Sequence, residues 1–136
     1  MRRLVYLLIV VIFAAPFFLQ PYLRYKDSKK VQYTELPRNG KPTFLEFYSR
    51  SCEVCRMMKP GIHKLRGEFR VKVNFLLLDV DAPSSEKLAS RFDIYSLPSI
   101  HLFSPDGTPL RSFEGLVGIR TLRMELEILS RSANEK

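Results

Sequence analysis

Between residues 43 and 129, the spacing of apolar residues changes in a regular order between strand-like and helix-like. A short apolar run at Thr43–Tyr48 predicts a buried strand, and apolar residues at helical spacing follow over Cys52–Phe69. A nearly continuous apolar run at Val71–Val80 predicts a second strand that is buried on both faces. Strand, helix and strand in this order predict a parallel pair joined by a right-handed crossover.

The second half of this segment completes an α/β pattern. Ser84–Phe92 predicts a helix with its first residue as the N-cap, and Ser99–Phe103 predicts a third strand. The turn sequence SPDG at 104–107 predicts a hairpin to a fourth strand at Leu110–Phe113. Leucines at helical spacing predict a last helix over 119–129. The order β-α-β-α-β-β-α therefore predicts an α/β fold, with a central mixed sheet flanked by helices on both faces.

The N-terminal residues have a different composition. Residues 4–19 (LVYLLIVVIFAAPFFL) carry no charge, and Arg2 and Arg3 precede them. About 20 mostly apolar residues can cross a hydrocarbon core, and the residues around Ala14 and Ala15 make a poor cleavage site. We therefore predict an N-terminal transmembrane helix, retained as an anchor or an uncleaved signal, over residues 1–23. Residues 24–41 are predicted to be a linker, 42–130 the folded domain and 131–136 a frayed tail.

The formal net charge of the chain is +8 at pH 7. No predicted element interleaves basic with aromatic residues as a nucleic-acid-binding surface would, so no nucleic-acid partner is predicted. We interpret the basic residues as a solvated surface plus a juxtamembrane cluster that contacts membrane lipid. Attraction to an acidic partner is the alternative.

Cys52 and Cys55 are the only cysteines in the chain. A structural zinc site needs about four ligands, and only His63 and His101 could join the pair, at a spacing that no common zinc finger uses. Covalent haem attachment requires a histidine directly after the second cysteine, where Arg56 stands. A disulfide that closes a loop of two residues restrains little of the unfolded chain, so it would stabilise the fold only weakly. A reversible dithiol is therefore favoured, with no metal and no cofactor.

The location of the pair supports redox chemistry. Cys52 is predicted at the N-terminus of a helix, where unpaired N–H groups and the helix dipole stabilise a thiolate. Cys55 lies one turn later, closer to the core, where it can attack a mixed disulfide at Cys52. Arg50 and Arg56 favour the thiolate, whereas Glu53 opposes it.

Glu46 is an acidic residue within an apolar strand. Its neighbours Phe44, Leu45 and Phe47 disfavour an unpaired carboxylate, so the pKa of Glu46 is predicted to rise. Beneath the cysteines, Glu46 could take the proton from Cys55 as that thiol attacks. An exposed acid on a half-buried strand, paired with a lysine, is the alternative.

These motifs resemble the thioredoxin superfamily. The resemblance lies in a strand followed by C-x-x-C and a helix, with a proline eight residues after the first cysteine and another before a later strand. It covers roughly Thr43–Leu129, nearly all of the predicted domain. It implies a thioredoxin fold, with Cys52 as the nucleophile and Cys55 as the resolving cysteine.

Further positions match the superfamily. Pro60 corresponds to the proline that kinks the active-site helix, and Pro98 to a cis-proline that faces the site. A cis Leu97–Pro98 bond would present the Leu97 backbone for strand-like pairing with a substrate peptide. Glu46 matches the buried acid of the central strand, which favours its functional role. Gly115 resembles the glycine that follows the last hairpin strand.

The residues around the first cysteine depart from the usual pattern. The family usually has tryptophan directly before this cysteine, but here the residue is Ser51, and the chain contains no tryptophan. The resemblance implies that an apolar docking surface is missing, so substrate range and redox poise are expected to differ. Glu53 and Val54 replace the Gly-Pro of general thioredoxins, and this dipeptide tunes the reduction potential.

The segment EFY-x-x-x-CEVCR behind an apolar segment most resembles membrane-anchored thioredoxin-like proteins of thylakoids and cyanobacteria, and related periplasmic reductases. This implies a membrane-tethered thiol–disulfide oxidoreductase in the periplasm or thylakoid lumen. It would mainly reduce protein disulfides, with apocytochrome c as one candidate substrate, and an integral membrane donor would supply electrons. The alternatives are a thioredoxin-fold binding or chaperone module with a regulatory dithiol, and a protein that handles a soft metal such as Cu(I).

Overall fold

The computed structural model describes residues 36–132. Within them, the elements are β1 Thr43–Tyr48, α1 Glu53–Phe69, β2 Asn74–Asp79, α2 Pro83–Ala89, β3 Ser99–Phe103, β4 Pro109–Glu114 and α3 Ile119–Ser132. This order confirms the predicted β-α-β-α-β-β-α pattern. The predicted anchor over residues 1–23 lies outside the described residues. Among residues 36–132, no helix combines the length and apolar character needed to cross a membrane.

The four strands form one mixed sheet in the order β2-β1-β3-β4. β1 and β2 run parallel, which requires the crossover that α1 provides. β3 is antiparallel to both β1 and β4, and the turn at 104–107 joins the hairpin. In this turn Gly107 has a φ of +84°, a region that glycine enters without steric cost. The sheet is therefore mixed, as predicted.

Apolar side chains cover both faces of the sheet, because successive residues of a strand point to opposite sides. On one face Phe44 packs with the buried stripes of α1 and α3. On the other face Leu45 and Phe47 pack with Leu88 of α2. Leu36, within the predicted linker, is 4% exposed and joins this second cluster. The packed core therefore includes at least one residue ahead of position 42.

Helix α1 places the cysteine pair against this core. Its buried residues recur every three or four positions, so they form one face: Cys55, Met58, Ile62, Leu65 and Phe69. The helix continues through Pro60. At its close contact with α3, Gly61 faces Ile119 where a larger residue would collide. The helix therefore packs closely on the core along its whole length.

The strand predicted at Val71–Val80 is shorter and less buried than expected. β2 covers only Asn74–Asp79, and all but its last residue are half-buried. Both faces nevertheless pack on the core, Phe75 and Leu77 against one cluster and Leu76 and Leu78 against the other, so burial on both faces is confirmed in part. The burial is incomplete because β2 lies at an end of the described sheet, where a neighbouring strand covers only one of its edges.

The helix predicted over Ser84–Phe92 also has different bounds. It begins at Pro83 and ends at Ala89, and its N-cap is Ala82 rather than Ser84. Proline is favoured in the first turn because its missing N–H is not needed there and its φ is already helical. Phe92 is nevertheless 7% exposed, because it packs on the core from the segment after the helix.

Candidate active site

The cysteine pair lies where β1 ends and α1 begins. Cys52 is the N-cap of α1, with extended backbone angles, and its N–H donates to the Ser49 carbonyl across 3.3 Å. The Cys55 N–H donates to the Sγ atom of Cys52 across 3.1 Å. The predicted position of Cys52 at a helix N-terminus is confirmed. A sulfur in this position receives backbone N–H groups that favour a thiolate.

The two sulfurs form a disulfide and differ in exposure. The Cα atoms of Cys52 and Cys55 are 5.3 Å apart, within the ordinary range for a disulfide. Cys55 is 4% exposed and belongs to the buried face of α1, whereas Cys52 is half-buried. An incoming substrate therefore meets Cys52 first.

Glu46 lies in the middle of β1 and is 4% exposed. Its partners in the sheet are both apolar, Leu77 on β2 and Ile100 on β3. Within residues 36–132 its side chain has no hydrogen bond or ion pair, and burial raises the pKa of Glu46 from 4.5 to about 7. The predicted rise of the pKa is confirmed, and the alternative of an exposed acid paired with a lysine is wrong.

A cavity of about 200 Å³ connects this acid to the second cysteine of the pair. Glu46 and Cys55 both line it, with Ile62 and Leu77 as apolar walls. Its other lining residues are polar, cationic or aromatic: Tyr48, Ser49, Arg50, Arg56, Lys59 and His63. The cavity gives the carboxyl group of Glu46 and the buried sulfur of Cys55 one shared space.

The loop before β3 holds the second predicted element of the site. The Leu97–Pro98 peptide bond is cis, Pro98 is buried and Leu97 is half-buried. The Pro98 carbonyl accepts a hydrogen bond from the Gly115 N–H across 2.8 Å. Gly115 has a φ of +72°, which favours glycine at this position. This bond joins the loop to the end of β4.

Ser51, which stands where tryptophan is usual, belongs to a hydrogen-bonded chain. The hydroxyl of Ser49 donates to Asp81 across 2.6 Å. Its single proton is thereby used, so the Ser51 hydroxyl donates to Ser49 Oγ across 2.7 Å. The Ser51 N–H also donates to Ser49 Oγ, across 3.1 Å. The loop before Cys52 is therefore fixed to the segment after β2 by polar contacts.

A second contact between the same two segments joins Arg50 and Asp79. The Arg50 Nε donates to Asp79 across 2.9 Å, and the Asp81 N–H donates to Asp79 across 3.1 Å. Arg50 was predicted to favour the thiolate, and neither Asp79 nor Asp81 was predicted at the site. Because the carboxyl ends of adjacent parallel strands meet at one edge of a sheet, the Asp-Val-Asp that begins at the last residue of β2 could have indicated them.

The remaining predicted residues take structural or peripheral positions. Glu53 is the exposed first residue of α1, Val54 packs against the core, and Pro60 is exposed within the helix. His63 is exposed and lines the cavity. Within residues 36–132, no three His, Cys, Asp or Glu side chains are placed to hold a metal ion.

His101 lies half-buried on β3, among aromatic side chains. Its Nε2 atom lies 2.8 Å from the Ser99 hydroxyl, and its ring packs against Phe47, Phe92 and Phe103. Burial lowers the pKa of His101 to about 4, against a smaller opposing effect of Glu114. The ring is therefore neutral near pH 7.

Comparison with known proteins assigns the family. The thioredoxin family profile matches residues 26–127. The chain belongs to the thioredoxin family. It is 33% identical over 105 residues to the chloroplastic thioredoxin-like protein HCF164 of Arabidopsis thaliana, covering 73% of this chain and 40% of that protein. It is 29% identical over 91 residues to a thiol:disulfide interchange protein TxlA homolog of Synechocystis, covering 67% and 51%.

A solved thioredoxin has the same fold. The germline-specific thioredoxin Deadhead of Drosophila melanogaster matches with a TM-score of 0.60 and 26% identity, over 68% of this chain and 84% of that one. The chain spans less than half of the Arabidopsis relative's length, at 40%. The domain described above is thus a thiol–disulfide oxidoreductase domain of the thioredoxin family, with both cysteines in place.

Proposed function

We propose that this chain is a membrane-tethered thiol–disulfide oxidoreductase that acts mainly as a reductant of protein disulfides outside the cytoplasm. The observation that carries the proposal is the Cys52–Cys55 pair at the N-terminus of α1, beside a cavity that contains the buried Glu46. The Arabidopsis and Synechocystis relatives, named as thioredoxin-like and thiol:disulfide interchange proteins, support this chemistry.

In the proposed reaction, the Cys52 thiolate attacks one sulfur of a substrate disulfide. The substrate S–S bond breaks, a mixed disulfide forms, and the other substrate sulfur leaves as a thiolate that takes up a proton. Cys55 then attacks the Sγ atom of Cys52, which forms the intramolecular disulfide and releases the second substrate thiol. The substrate gains two electrons and two protons, and the dithiol loses them.

Two features of the site assist these steps. The N–H of Cys55 and the positive end of the 17-residue helix α1 stabilise the Cys52 thiolate. Glu46 accepts the proton of Cys55 as that thiol attacks, through the cavity that both residues line. A pKa of about 7 allows Glu46 to take up and release this proton near neutral pH.

Leu97 and Pro98 form the proposed binding position for the substrate backbone. Within the described residues, the N–H and C=O of Leu97 make no hydrogen bond. They can therefore pair with an extended substrate segment, as one strand pairs with another. Ser51, Glu53 and Val54 adjoin the two cysteines and set the redox poise of the dithiol. Pro60 has a structural role within α1.

The proposed location follows from the N-terminal segment 1–23 with its uncharged stretch 4–19, which would anchor the domain 42–130 through the linker 24–41. The domain would lie in a periplasm or thylakoid lumen, in keeping with the chloroplastic relative. An integral membrane dithiol carrier would return two electrons to the pair, because an oxidising compartment does not reduce it. Apocytochrome c is a candidate substrate.

Trapping tests the chemistry. Cys55→Ser should accumulate mixed disulfides on Cys52 in cells, because the resolving attack is absent, and Cys52→Ser should abolish reduction of a disulfide substrate. Equal rates of reduction by the wild type and by Cys52→Ser would overturn the enzymatic proposal.

The anchor is tested separately from the chemistry. The full chain should stay in the membrane fraction after a carbonate wash, and a chain without residues 1–23 should not. Protease added to sealed membrane vesicles should digest the domain only from the extracytoplasmic side. Release of the full chain by the wash would contradict the anchor.

A further inference from the structure

The cavity beside Cys55 has a cationic rim to which no role in substrate binding has been assigned. Arg56 and Lys59 line the cavity and are exposed on α1. Neither side chain has an ion pair or hydrogen bond with another residue of the range 36–132. Arg50 differs, because Asp79 holds its Nε atom at 2.9 Å. The rim therefore presents two unpaired positive charges at the cavity that Cys55 lines.

Few negative charges offset this rim. Glu46 is the only acidic residue among the described residues that line the cavity. Burial raises the pKa of Glu46 to about 7, so its carboxyl group is partly protonated at neutral pH. Glu53 is exposed at the start of α1 but does not line the cavity. The cavity thus has two cations at its rim, and its one acidic lining residue, Glu46, carries only part of a negative charge at neutral pH.

The rim lies at a fixed distance from the point of attack. Arg56 and Lys59 are four and seven residues after Cys52 on the same helix. At 1.5 Å per residue, they lie about 6 and about 10 Å farther along the axis. An extended peptide covers about 3.3 Å per residue, so its second and third residues from a bound cysteine reach the same range.

We propose that this cavity binds a carboxylate side chain of the polypeptide substrate, so that preferred disulfides have Asp or Glu two or three residues from the attacked cysteine. Arg56 and Lys59 provide the charge complementarity, and the position of the cavity beside Cys55 provides the spacing. This inference rests on the proposed reductase function and names the substrate class of the same site.

The test compares three peptides that each contain one disulfide. They are identical except at the positions two and three residues from the attacked cysteine, which are both Glu in the first peptide, both Gln in the second and both Lys in the third. The reduced full-length protein, in detergent micelles, reduces each peptide, and stopped-flow mixing gives the second-order rate constants. We expect the order Glu, then Gln, then Lys. Two exposed charge pairs should give a Glu-to-Gln ratio of about three to ten, which falls at high salt.

Matched variants locate the effect. Arg56→Gln combined with Lys59→Gln should bring the Glu-to-Gln ratio close to one. The ratio is the measured quantity because it cancels any change in the reactivity of Cys52. Lys64→Gln is the control: Lys64 is an exposed cation on the same helix that does not line the cavity, and its substitution should leave the ratio unchanged.

The outcomes separate this inference from the function on which it rests. Equal rates for the Glu and Gln peptides would overturn the carboxylate site and leave the reductase function standing. A ratio that survives the double substitution, or that Lys64→Gln lowers equally, would also overturn it. Failure of the wild type to reduce any peptide would overturn both proposals.

Discussion

Replacing Glu46 with Gln should remove a loss of stability that the wild type suffers as pH rises. Glu46 is 4% exposed between two apolar neighbours, and burial raises its pKa from 4.5 to about 7. An acid with a raised pKa binds its proton more tightly in the folded state than in the unfolded state. The contribution of Glu46 to the unfolding free energy is therefore fully present below pH 4.5 and is lost as pH rises through about 7.

The size of this effect follows from the two pKa values. One pH unit corresponds to about 1.4 kcal/mol, so the interval from 4.5 to about 7 corresponds to roughly 3 kcal/mol. The cavity beside Glu46 admits water, which stabilises the carboxylate and makes this an upper value. Between pH 4.5 and 8.5, we expect the Gln variant to gain about 2–3 kcal/mol of unfolding free energy relative to the wild type.

Urea unfolding of the two oxidised proteins across this pH range measures the difference. Far-UV circular dichroism is the readout, because the chain contains no tryptophan. His101 acts in the opposite direction: burial lowers its pKa from 6.5 to about 4, so its contribution is lost as pH falls from 6.5 towards 4. The difference between the unfolding free energies of the wild type and the Glu46→Gln variant cancels the His101 contribution, because both proteins contain His101.

Glu127→Gln controls for the loss of one negative charge, since Glu127 is exposed on α3. A wild-type-minus-variant difference for Glu46 that stays constant within about 0.5 kcal/mol from pH 4.5 to 8.5 would refute the buried-acid reasoning. The same constant difference would remove the basis for proton transfer from Cys55 to Glu46 near neutral pH.

Three further predictions concern stability and are checked by thermal unfolding of the oxidised protein. Ser49→Ala removes the three hydrogen bonds of the hydroxyl that fixes the loop before the dithiol, so we expect a loss of about 1–3 kcal/mol; no change would show that the contacts are dispensable. Leu122→Ala opens a cavity at a fully buried position and should cost about 2–5 kcal/mol, whereas Met124→Ala, at a position 57% exposed, should stay within about 0.5 kcal/mol. Gly107→Ala should destabilise by about 1 kcal/mol or more, since its φ is +84°. Gly67→Ala, with open space in the interior of α1, should stabilise by about 0.5–1 kcal/mol, and an opposite sign at either glycine would contradict the backbone argument.

Much of the fold was predictable because local patterns agree with tertiary packing. β1 was assigned at its observed bounds, since an apolar run bounded by polar residues also forms the centre of the sheet. The apolar spacing over Cys52–Phe69 predicted α1 for the same reason, because most of these apolar residues form its buried face. The raised pKa of Glu46 was predicted from its apolar sequence neighbours, and in the structure it results from burial of the side chain in the centre of the sheet.

Other features depend on contacts between distant segments, and the sequence pattern does not encode them. The exposure of β2 depends on its place at the end of the described sheet, not on its own residues. The bond from Ser49 to Asp81 spans 32 positions in the chain. The cavity likewise needs side chains from β1, β2 and α1 together. Only the parallel pairing of β1 and β2 brings these groups to one edge.

The unequal exposure of the two sulfurs has a kinetic consequence. Cys55 is 4% exposed, and its Cα atom stays 5.3 Å from that of Cys52. When a substrate is covalently held on Cys52, the nearest competing nucleophile is therefore part of the protein itself. Release of the substrate becomes a unimolecular event with a high effective concentration, independent of the thiols in solution. The same burial shields Cys55 from oxidants, which react with exposed thiolates, so oxidative damage should fall on Cys52 alone.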